Sequence, residues 1–336
     1  APIFLARPRR FGKSLIVSTV KELFSGNKEL FKNTYAYDHW DFDEVRPVIR
    51  LDLSLVDGET KEEINQSLLW MVEDFAQSCS IDLKEGTHSY RALKELIKKM
   101  STKKRAVILI DEYDAPILKN LQNKRLKEIK EVMSAFYRII KSSERWLSFV
   151  FITGISKFSQ VGIFSTMNNL LDISLYDEYS TITGLTQEEI KLNFPVYIAE
   201  AIKKTELKEE EFWRQMAFYY NGYSWDGVNF VYNPFTVLNF LKMKSFQSYW
   251  MASGSPSFIV EYAKDMKLDA SELEGIEVDN DFLSRRDIDK SSPESFLTQA
   301  GYLTIKKIQG EDLTLDFPNH EVRKAFNEIL LCDCFG

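Results

Sequence analysis

The apolar positions of this sequence follow two periodicities that alternate along the first half of the chain. Short, mostly apolar runs predict strands at residues 2–6, 47–53, 106–110 and 147–154, and the run 106–110 contains Val, Ile and Leu without alternation. Such runs are typical of strands that are buried on both faces of a sheet. Apolar residues recur every three or four positions, as in amphipathic helices, in residues 15–24, 61–78, 90–100 and 123–142. Strands that alternate with helices predict a parallel sheet covered by helices on both faces.

The second half of the chain has a different pattern. Thr186 is followed three positions later by Glu189, a pairing that predicts a helix start through a capping box. Residues 186–264 are rich in aromatic side chains and carry a mostly helical pattern, which we interpret as a helical lid. Residues 291–331 show the order helix, strand, strand, helix, which predicts a small winged-helix-like unit. We therefore expect domains at residues 1–185, 186–290 and 291–336.

The amino-acid composition indicates which classes of protein this chain can belong to. The 336 residues include 44% hydrophobic and 28% charged side chains, as in ordinary soluble proteins. The formal net charge of -7 argues against extensive coating by nucleic acid. Cys79, Cys332 and Cys334 are too few for a disulfide framework and fit a reducing cytoplasm. No apolar run is long enough to span a bilayer. Because the chain begins at Ala1 and the first predicted strand follows almost at once, we expect a fragment whose true start lies upstream.

The first candidate for chemistry is Gly12-Lys13-Ser14, between the first strand and the first helix. A phosphate chain is bound by backbone N–H groups at a helix start, by a lysine, and by a hydroxyl that holds Mg²⁺. The full pattern G-x-x-x-x-G-K-S/T has a glycine where this chain has Arg7, so a basic surface turn stays an alternative for this motif alone. Arg10 flanks the loop. Its side chain either contacts phosphate or is exposed to solvent, and the sequence leaves both alternatives open.

The second candidate is the pair Asp111 and Glu112, which follows the buried run 106–110. A carboxylate at the carboxyl end of a parallel strand can hold Mg²⁺, and the next acid can polarise an attacking water. Two solvated loop acids are the alternative. The separation from Lys13 leaves room for a strand, a helix and a strand, which favours nucleotide binding by both motifs together. Thr153 ends the fourth strand, where the residues alone favour a hydroxyl that caps the strand.

These motifs resemble the AAA-ATPase-like family of bacterial proteins. The strings that carry the resemblance are RPRRFGKSL (7–15), LIDEYDAPI (109–117), FITGISKFS (151–159), FSTMNNLLDISL (164–175), NGYSW (221–225) and YNPFTVLN (232–239). The set spans nearly the whole chain. Members of this family also have arginine at the position of the first glycine, and many carry a PD-(D/E)XK nuclease-like domain after the ATPase part.

The resemblance implies a P-loop fold with an extra strand between the loop strand and the acidic strand, as in STAND-type and archaeal ATPases that add a helical lid and a winged helix. It implies phosphate contacts from Lys13, metal contacts from Ser14 and Asp111, and catalysis by Glu112. By the same likeness Thr153 senses the γ-phosphate. The residues expected to contact the nucleotide are Arg10, Gly12, Lys13, Ser14, Leu15 and Pro234, the last of these near the base.

Two departures limit what the resemblance implies. The family has more sequence before the loop strand, and this chain ends at Gly336 without an arrangement of nuclease residues. We therefore expect the nuclease-like domain only in a full-length chain. Nucleic acid bound through other regions and oligomer formation stay open, and no membrane partner is expected.

Two functions remain after this comparison. The first is Mg²⁺-dependent ATP hydrolysis that couples nucleotide state to movement of the lid and the winged helix. The second is a degenerate P-loop module that binds nucleotide or a partner without turnover. The intact acidic pair, Asp111 and Glu112, favours the first, while Arg7 in place of glycine keeps the second open.

Overall fold

The computed structural model describes residues 1–84, 86, 88–156, 169–250, 270–279, 282 and 293–334. The chain divides into two compact units. The first consists of Ala1–Ala6 and Lys13–Asp172, and the second of Arg7–Gly12 and Ile173–Gly336. The chain therefore leaves the first unit after its first strand and returns to it at Lys13. The division into domains at 1–185, 186–290 and 291–336 stays a prediction.

A parallel sheet forms the centre of the first unit. Its strands in the described residues are β1 (Ile3–Ala6), β2 (Val48–Asp52), β3 (Ala106–Asp111), β4 (Leu147–Gly154) and β5 (Leu171–Asp172). Their spatial order is β2-β3-β4-β1-β5, and every pair is parallel. The extra strand that the resemblance implies is β4, which lies between β1 and β3.

Helices flank this sheet. They are α1 (Lys13–Phe24), α2 (Tyr35–His39), α3 (Lys61–Ser78), α4 (Ser89–Met100), α5 (Ala115–Leu118) and α6 (Leu126–Ser142). All six residues of β3 are buried, which explains its apolar run without alternation. The predicted α/β fold with a parallel sheet and flanking helices is thus confirmed.

The second unit begins with a group of helices. They are α7 (Gln187–Asn193), α8 (Pro195–Thr205), α9 (Glu209–Tyr220) and α10 (Pro234–Met243). The predicted capping box is present, because the Thr186 hydroxyl accepts from the Glu189 N–H and the Glu189 carboxylate accepts from the Thr186 N–H. Many aromatic residues of this region, among them Phe212, Tyr220 and Phe240, belong to one buried core. They are therefore packing residues of the helices.

The end of the chain forms a separate antiparallel sheet. The described strands β6 (Ile276–Asp279), β7 (Thr304–Gln309) and β8 (Asp312–Asp316) have the spatial order β6-β8-β7. The helices α11 (Pro293–Ala300) and α12 (His320–Cys334) come before β7 and after β8 in the chain. The predicted order of helix, strand, strand and helix is present, and none of these strands joins the parallel sheet.

Among the described residues, no helix combines the length and the apolar character that are needed to cross a membrane.

Candidate nucleotide-binding site

The carboxyl ends of three neighbouring strands lie at one edge of the sheet of the first unit. β1 ends at Ala6, β4 at Gly154 and β3 at Asp111. The register pairs Ala6 with Gly154, and Ile110 with Ile152, so the three ends are level with one another. In open parallel sheets, ligands bind outside this edge.

Asp111 is a buried carboxylate at this edge, with 1% of its surface exposed. Its Oδ1 accepts a hydrogen bond of 2.7 Å from the Thr153 hydroxyl and one of 3.1 Å from the Glu112 N–H. Its Oδ2 is buried and has no hydrogen-bond partner in the described residues. A buried carboxylate oxygen without a partner is costly, and a cation ligand would remove that cost.

Thr153 therefore has a defined contact with the acidic motif. Its side chain is fully buried, and its hydroxyl donates to Asp111 rather than only capping β4. Its carbonyl accepts a 3.0 Å hydrogen bond from the Tyr113 N–H, which ties the residues after β3 to the end of β4. The structure thus brings Asp111 and Thr153 together. The role of Thr153 as a γ-phosphate sensor stays a prediction.

Glu112 lies between two buried residues but is itself only half-buried. Its backbone has a φ of 48°, in the left-handed region that non-glycine residues rarely occupy. Strain of this kind costs about 1–3 kcal/mol and persists only where the surroundings impose it. The left-handed conformation takes Glu112 out of the line of β3, at the edge where parallel sheets bind ligands.

Lys13 is the first residue of α1 and is 4% exposed, which is unusual for a lysine. Ser14 and Leu15 follow it on the first turn and are both exposed, Leu15 to 70%. No acidic residue occupies this first turn, so nothing on it opposes the attraction of the helix start for an anion. α1 packs against β3 and β4.

The loop before Lys13 belongs to the second unit. Gly12 has a φ of 78°, a conformation that favours glycine, and Arg10 has a φ of 68°. The Arg10 guanidinium donates to the carbonyls of Tyr249 and Trp250 and lies 4.1 Å from the centre of the Phe235 ring. Burial lowers the pKa of Arg10, while the charge of Glu321 acts in the opposite direction.

Arg7, at the position of the missing glycine, is almost completely buried. Its guanidinium donates to the Ser174 carbonyl at 2.7 Å, the Tyr179 carbonyl at 2.9 Å and the Thr183 hydroxyl at 3.1 Å. It also lies 3.9 Å from the centre of the Trp225 ring. Arg7 is therefore an anchor of the loop in the second unit, a role that the sequence pattern did not reveal.

Pro234 begins α10 in the second unit, directly after the N-cap residue Asn233. The Asn233 side chain accepts a 3.2 Å hydrogen bond from the Thr236 N–H, and the proline ring suits the first helical position. This accounts for Y-N-P-F as a helix start. Contact between Pro234 and a nucleotide base stays a prediction.

Sequence reasoning missed Asp114, the last residue of the D-E-Y-D motif. It is 0% exposed, and its Oδ2 accepts from the Ile155 N–H at 3.0 Å, the Ser156 N–H at 2.8 Å and the Ser156 hydroxyl at 2.8 Å. Burial raises the pKa of Asp114, while the Ser156 hydrogen bonds and the charge of Lys13 act in the opposite direction. The available signal was the repeated aspartate in the motif.

The residues of the first unit fit a magnesium nucleotide. In the described part of the chain, no group of three or more His, Cys, Asp and Glu side chains could hold a metal alone. Mg²⁺ at nucleotide sites takes one or two protein oxygens, with the rest from phosphates and water. Oδ2 of Asp111, which has no hydrogen-bond partner in the described residues, and the hydroxyl of the exposed Ser14 would be available as such oxygens. Residues 157–168, which include parts of two of the quoted motifs, lie outside the described residues.

Comparison with protein families gives a match to the AAA-ATPase-like family, described as a predicted AAA-ATPase, over residues 1–164. This range contains both the Lys13 and the Asp111 motifs. The recognition of this family from the sequence is therefore confirmed for residues 1–164, which contain four of the five described strands of the parallel sheet.

Two individual proteins are similar to this chain to different degrees. An uncharacterized protein from the vnfD 5′ region of Azotobacter chroococcum mcd 1 is 35% identical over 338 residues, which cover 98% of this chain and 63% of that protein. The chain thus spans less than two thirds of this relative's length. The solved structure of the Aeropyrum pernix ORC2 protein, in ADPNP-ADP complexes, is 11% identical with a TM-score of 0.31, over 98% of this chain and 86% of that one.

Proposed function

Since residues 1–164 match a predicted AAA-ATPase, we propose that this protein binds ATP with Mg²⁺ and hydrolyses it at the carboxyl edge of the parallel sheet. The observation that carries the proposal is the state of Asp111. It is a buried carboxylate with one oxygen free of hydrogen bonds, in the unit that also contains a buried lysine at a helix start. A cation and a phosphate chain are the ligands that this combination of groups would bind.

The binding roles follow from position and charge. Lys13 would meet the outer phosphates with its ammonium group, next to the N–H groups of the first turn of α1. Ser14 and Asp111 would hold Mg²⁺, which supplies positive charge to the phosphate oxygens. Leu15, exposed on the same turn, is proposed as an apolar contact of the nucleotide.

Glu112 is the proposed general base. Its carboxylate would accept a proton from the water that attacks the terminal phosphate, which generally contributes about 10²–10⁴-fold to the rate. Its strained backbone supports this role, because such conformations cluster at functional sites. Thr153, bonded to Asp111, is the proposed link between the terminal phosphate and the metal carboxylate.

We further propose that nucleotide state is coupled to the second unit through the loop Arg7–Gly12. The loop belongs to the second unit by its contacts, yet it is joined covalently to β1 at one end and to Lys13 at the other. Arg7 and Arg10 hold it to backbone carbonyls of the second unit. A movement of the backbone at Lys13 on phosphate binding would therefore pull on these anchors.

The moving parts in this proposal are a helical lid and a winged-helix-like unit. The helices α7 to α10 share one aromatic core, which supports their movement as a body. The helix α11, the strands β7 and β8 and the helix α12 are proposed as the winged-helix-like unit, because they follow one another in this order and their strands belong to a separate sheet.

The test compares two variants with the parent protein. Glu112→Gln should keep ATP affinity, because the binding groups are intact, and should lower turnover by about 10²–10⁴-fold. Lys13→Ala should weaken ATP binding itself, because it removes the charge that meets the phosphates. Calorimetry measures affinity, and phosphate release with ATP and Mg²⁺ measures turnover.

The matched control is Lys21→Ala, which removes a lysine from the last turn of the same helix, where it pairs with Glu22 at 2.9 Å. This variant should bind and hydrolyse ATP as the parent does. ATP binding by the parent without turnover would favour the degenerate module. Turnover that is unchanged in Glu112→Gln would remove this residue as the base.

A further inference from the structure

Two segments of the first unit, residues 111–114 and 153–156, are joined by hydrogen bonds along their whole length. The bonds described above join Asp111 to Thr153 by side chains, and Tyr113 to Thr153 by backbone. The Tyr113 hydroxyl also donates to the Ser156 carbonyl at 2.8 Å. Three further bonds end on the carboxylate of Asp114, from Ile155 and Ser156.

The contact between the two segments leaves no spare room. A Cβ atom added at Gly154 would lie 2.5 Å from a ring carbon of Tyr113 and 2.8 Å from Oδ1 of Asp114. Distances below 3.0 Å are essentially never found for real Cβ atoms. The turn after β3 is therefore fixed against the end of β4 by packing as well as by hydrogen bonds.

Glu112 lies between the fixed residues Asp111 and Tyr113, and it has the strained φ of 48°. A left-handed conformation at a non-glycine residue is unfavourable and relaxes unless its neighbours hold it. Among the four residues of the motif, Asp114 accepts the largest number of these inter-segment bonds. It is thus the residue whose loss would most release the backbone of Glu112.

We propose that Asp114 is a positioning residue for ATP hydrolysis, whose hydrogen bonds to Ile155 and Ser156 hold Glu112 and Thr153 in their working geometry. This inference rests on the proposed ATPase function. Asp114 itself touches neither nucleotide nor water in this scheme. Because it acts through Glu112, its loss should lower the rate of the chemical step far more than it changes the affinity for ATP.

The principal variant is Asp114→Ala, with turnover and ATP affinity measured separately. Misplacement of a catalytic group by about 1 Å can cost about 10²-fold in rate, so kcat should fall by about 10–100-fold. The dissociation constant for ATP should stay within about threefold of the parent value, which is less than about 0.7 kcal/mol. A loss of affinity with unchanged kcat would overturn the proposal.

Asp114→Asn provides the conservative rescue. Its amide oxygen can accept the same three hydrogen bonds from Ile155 and Ser156, so kcat should return to within about fivefold of the parent. Ser156→Ala removes one of the three hydrogen bonds to Asp114 and should lower kcat several-fold, because the other two bonds remain. Ser143→Ala is the matched control, because Ser143 is a fully buried serine at the end of α6, before β4 begins. This control should leave kcat unchanged.

A double variant shows whether Asp114 acts through Glu112. If it does, Asp114→Ala should lower kcat little further in a protein that already carries Glu112→Gln. Additive losses would overturn the positioning role, and so would a full loss of kcat in Asp114→Asn. If Asp114→Ala fails to fold, Ser156→Ala and Asp114→Asn decide the question.

The outcomes also separate this proposal from the ATPase proposal. A parent protein that releases no phosphate from ATP refutes the ATPase function, and the positioning role falls with it. A parent that turns over ATP at the same rate as Asp114→Ala refutes the positioning role alone.

Discussion

The carboxyl group of Glu321 should make the stability of this protein depend on pH. Glu321 lies in the first turn of α12 and is 1% exposed. It accepts hydrogen bonds from the N–H groups of Tyr249 and Trp250 and from the Thr236 hydroxyl. Burial raises the pKa of Glu321 from 4.5 to about 7, although these hydrogen bonds and the charge of Arg10 act in the opposite direction.

The sign follows from the protons that each state binds. Between pH 4.5 and pH 7 the unfolded chain has lost the Glu321 proton while the folded protein still holds it. Stability therefore falls as pH rises through this range, and the loss is complete above pH 7. At about 1.4 kcal/mol for each pH unit between the two pKa values, the loss amounts to about 3 kcal/mol.

Glu321→Gln removes this dependence and keeps the shape of the side chain. The amide oxygen can accept the two backbone hydrogen bonds, and the amide nitrogen can donate to the Thr236 hydroxyl oxygen. We expect the free energy of unfolding of the variant, relative to the parent, to increase by about 3 kcal/mol between pH 4.5 and pH 8. Urea unfolding followed by circular dichroism at several pH values measures this difference.

The matched control is Glu328→Gln on the same helix. Glu328 is exposed and pairs with Lys324 at 3.9 Å, a surface contact that contributes little. This control should differ from the parent by a nearly constant amount over the pH range. The reasoning about Glu321 is wrong if the free energy of unfolding of Glu321→Gln differs from that of the parent by a constant amount over this pH range. It is also wrong if this difference decreases as pH rises.

Two further substitutions test packing at the loop and at the sheet edge. Arg7→Gly makes the sequence match the full phosphate-loop pattern, but it should not tighten ATP binding. It should lower the free energy of unfolding by several kcal/mol, because each lost hydrogen bond to the charged guanidinium contributes about 1.5–3 kcal/mol. Urea unfolding measures the stability and calorimetry the ATP affinity. The control for both is Arg9→Gly, because Arg9 is an exposed arginine of the same loop. Gly154→Ala should lower the free energy of unfolding by about 1–3 kcal/mol through overpacking and should slow phosphate release. Gly86→Ala should do neither, because the nearest atom of the described residues would lie 3.8 Å from the added Cβ.

The sheet of the first unit could be predicted because its signal is local. β4 was predicted with the bounds Leu147–Gly154 that the structure has, and β3 differs by one residue, Asp111. Both are runs of apolar residues whose burial follows from their composition. β5 consists of two residues, Leu171–Asp172, and β6 has four, Ile276–Asp279, so neither contains enough positions for a pattern to show.

The groups that anchor the site could not be predicted, because their partners are distant in the sequence. Arg7 bonds to residues 167 to 176 positions away, and Asp114 to residues 41 and 42 positions away. A single sequence does not show which distant residues surround a charged side chain. Arg7 and Asp114 therefore look like ordinary polar loop residues in the sequence. The choice of α1 as the phosphate helix was possible, since Gly12, Lys13 and Ser14 are adjacent in the chain.

The contacts of Arg7 bear on whether the missing glycine indicates a degenerate P-loop. Glycine at the start of a phosphate loop is useful where a side chain would be in the way of the backbone. In this protein the side chain at that position is held by three hydrogen bonds and an aromatic ring of the second unit, so it is accounted for within the fold. Its presence therefore does not argue for a degenerate module. The decision between binding and hydrolysis rests instead on Asp111 and Glu112, which belong to the first unit.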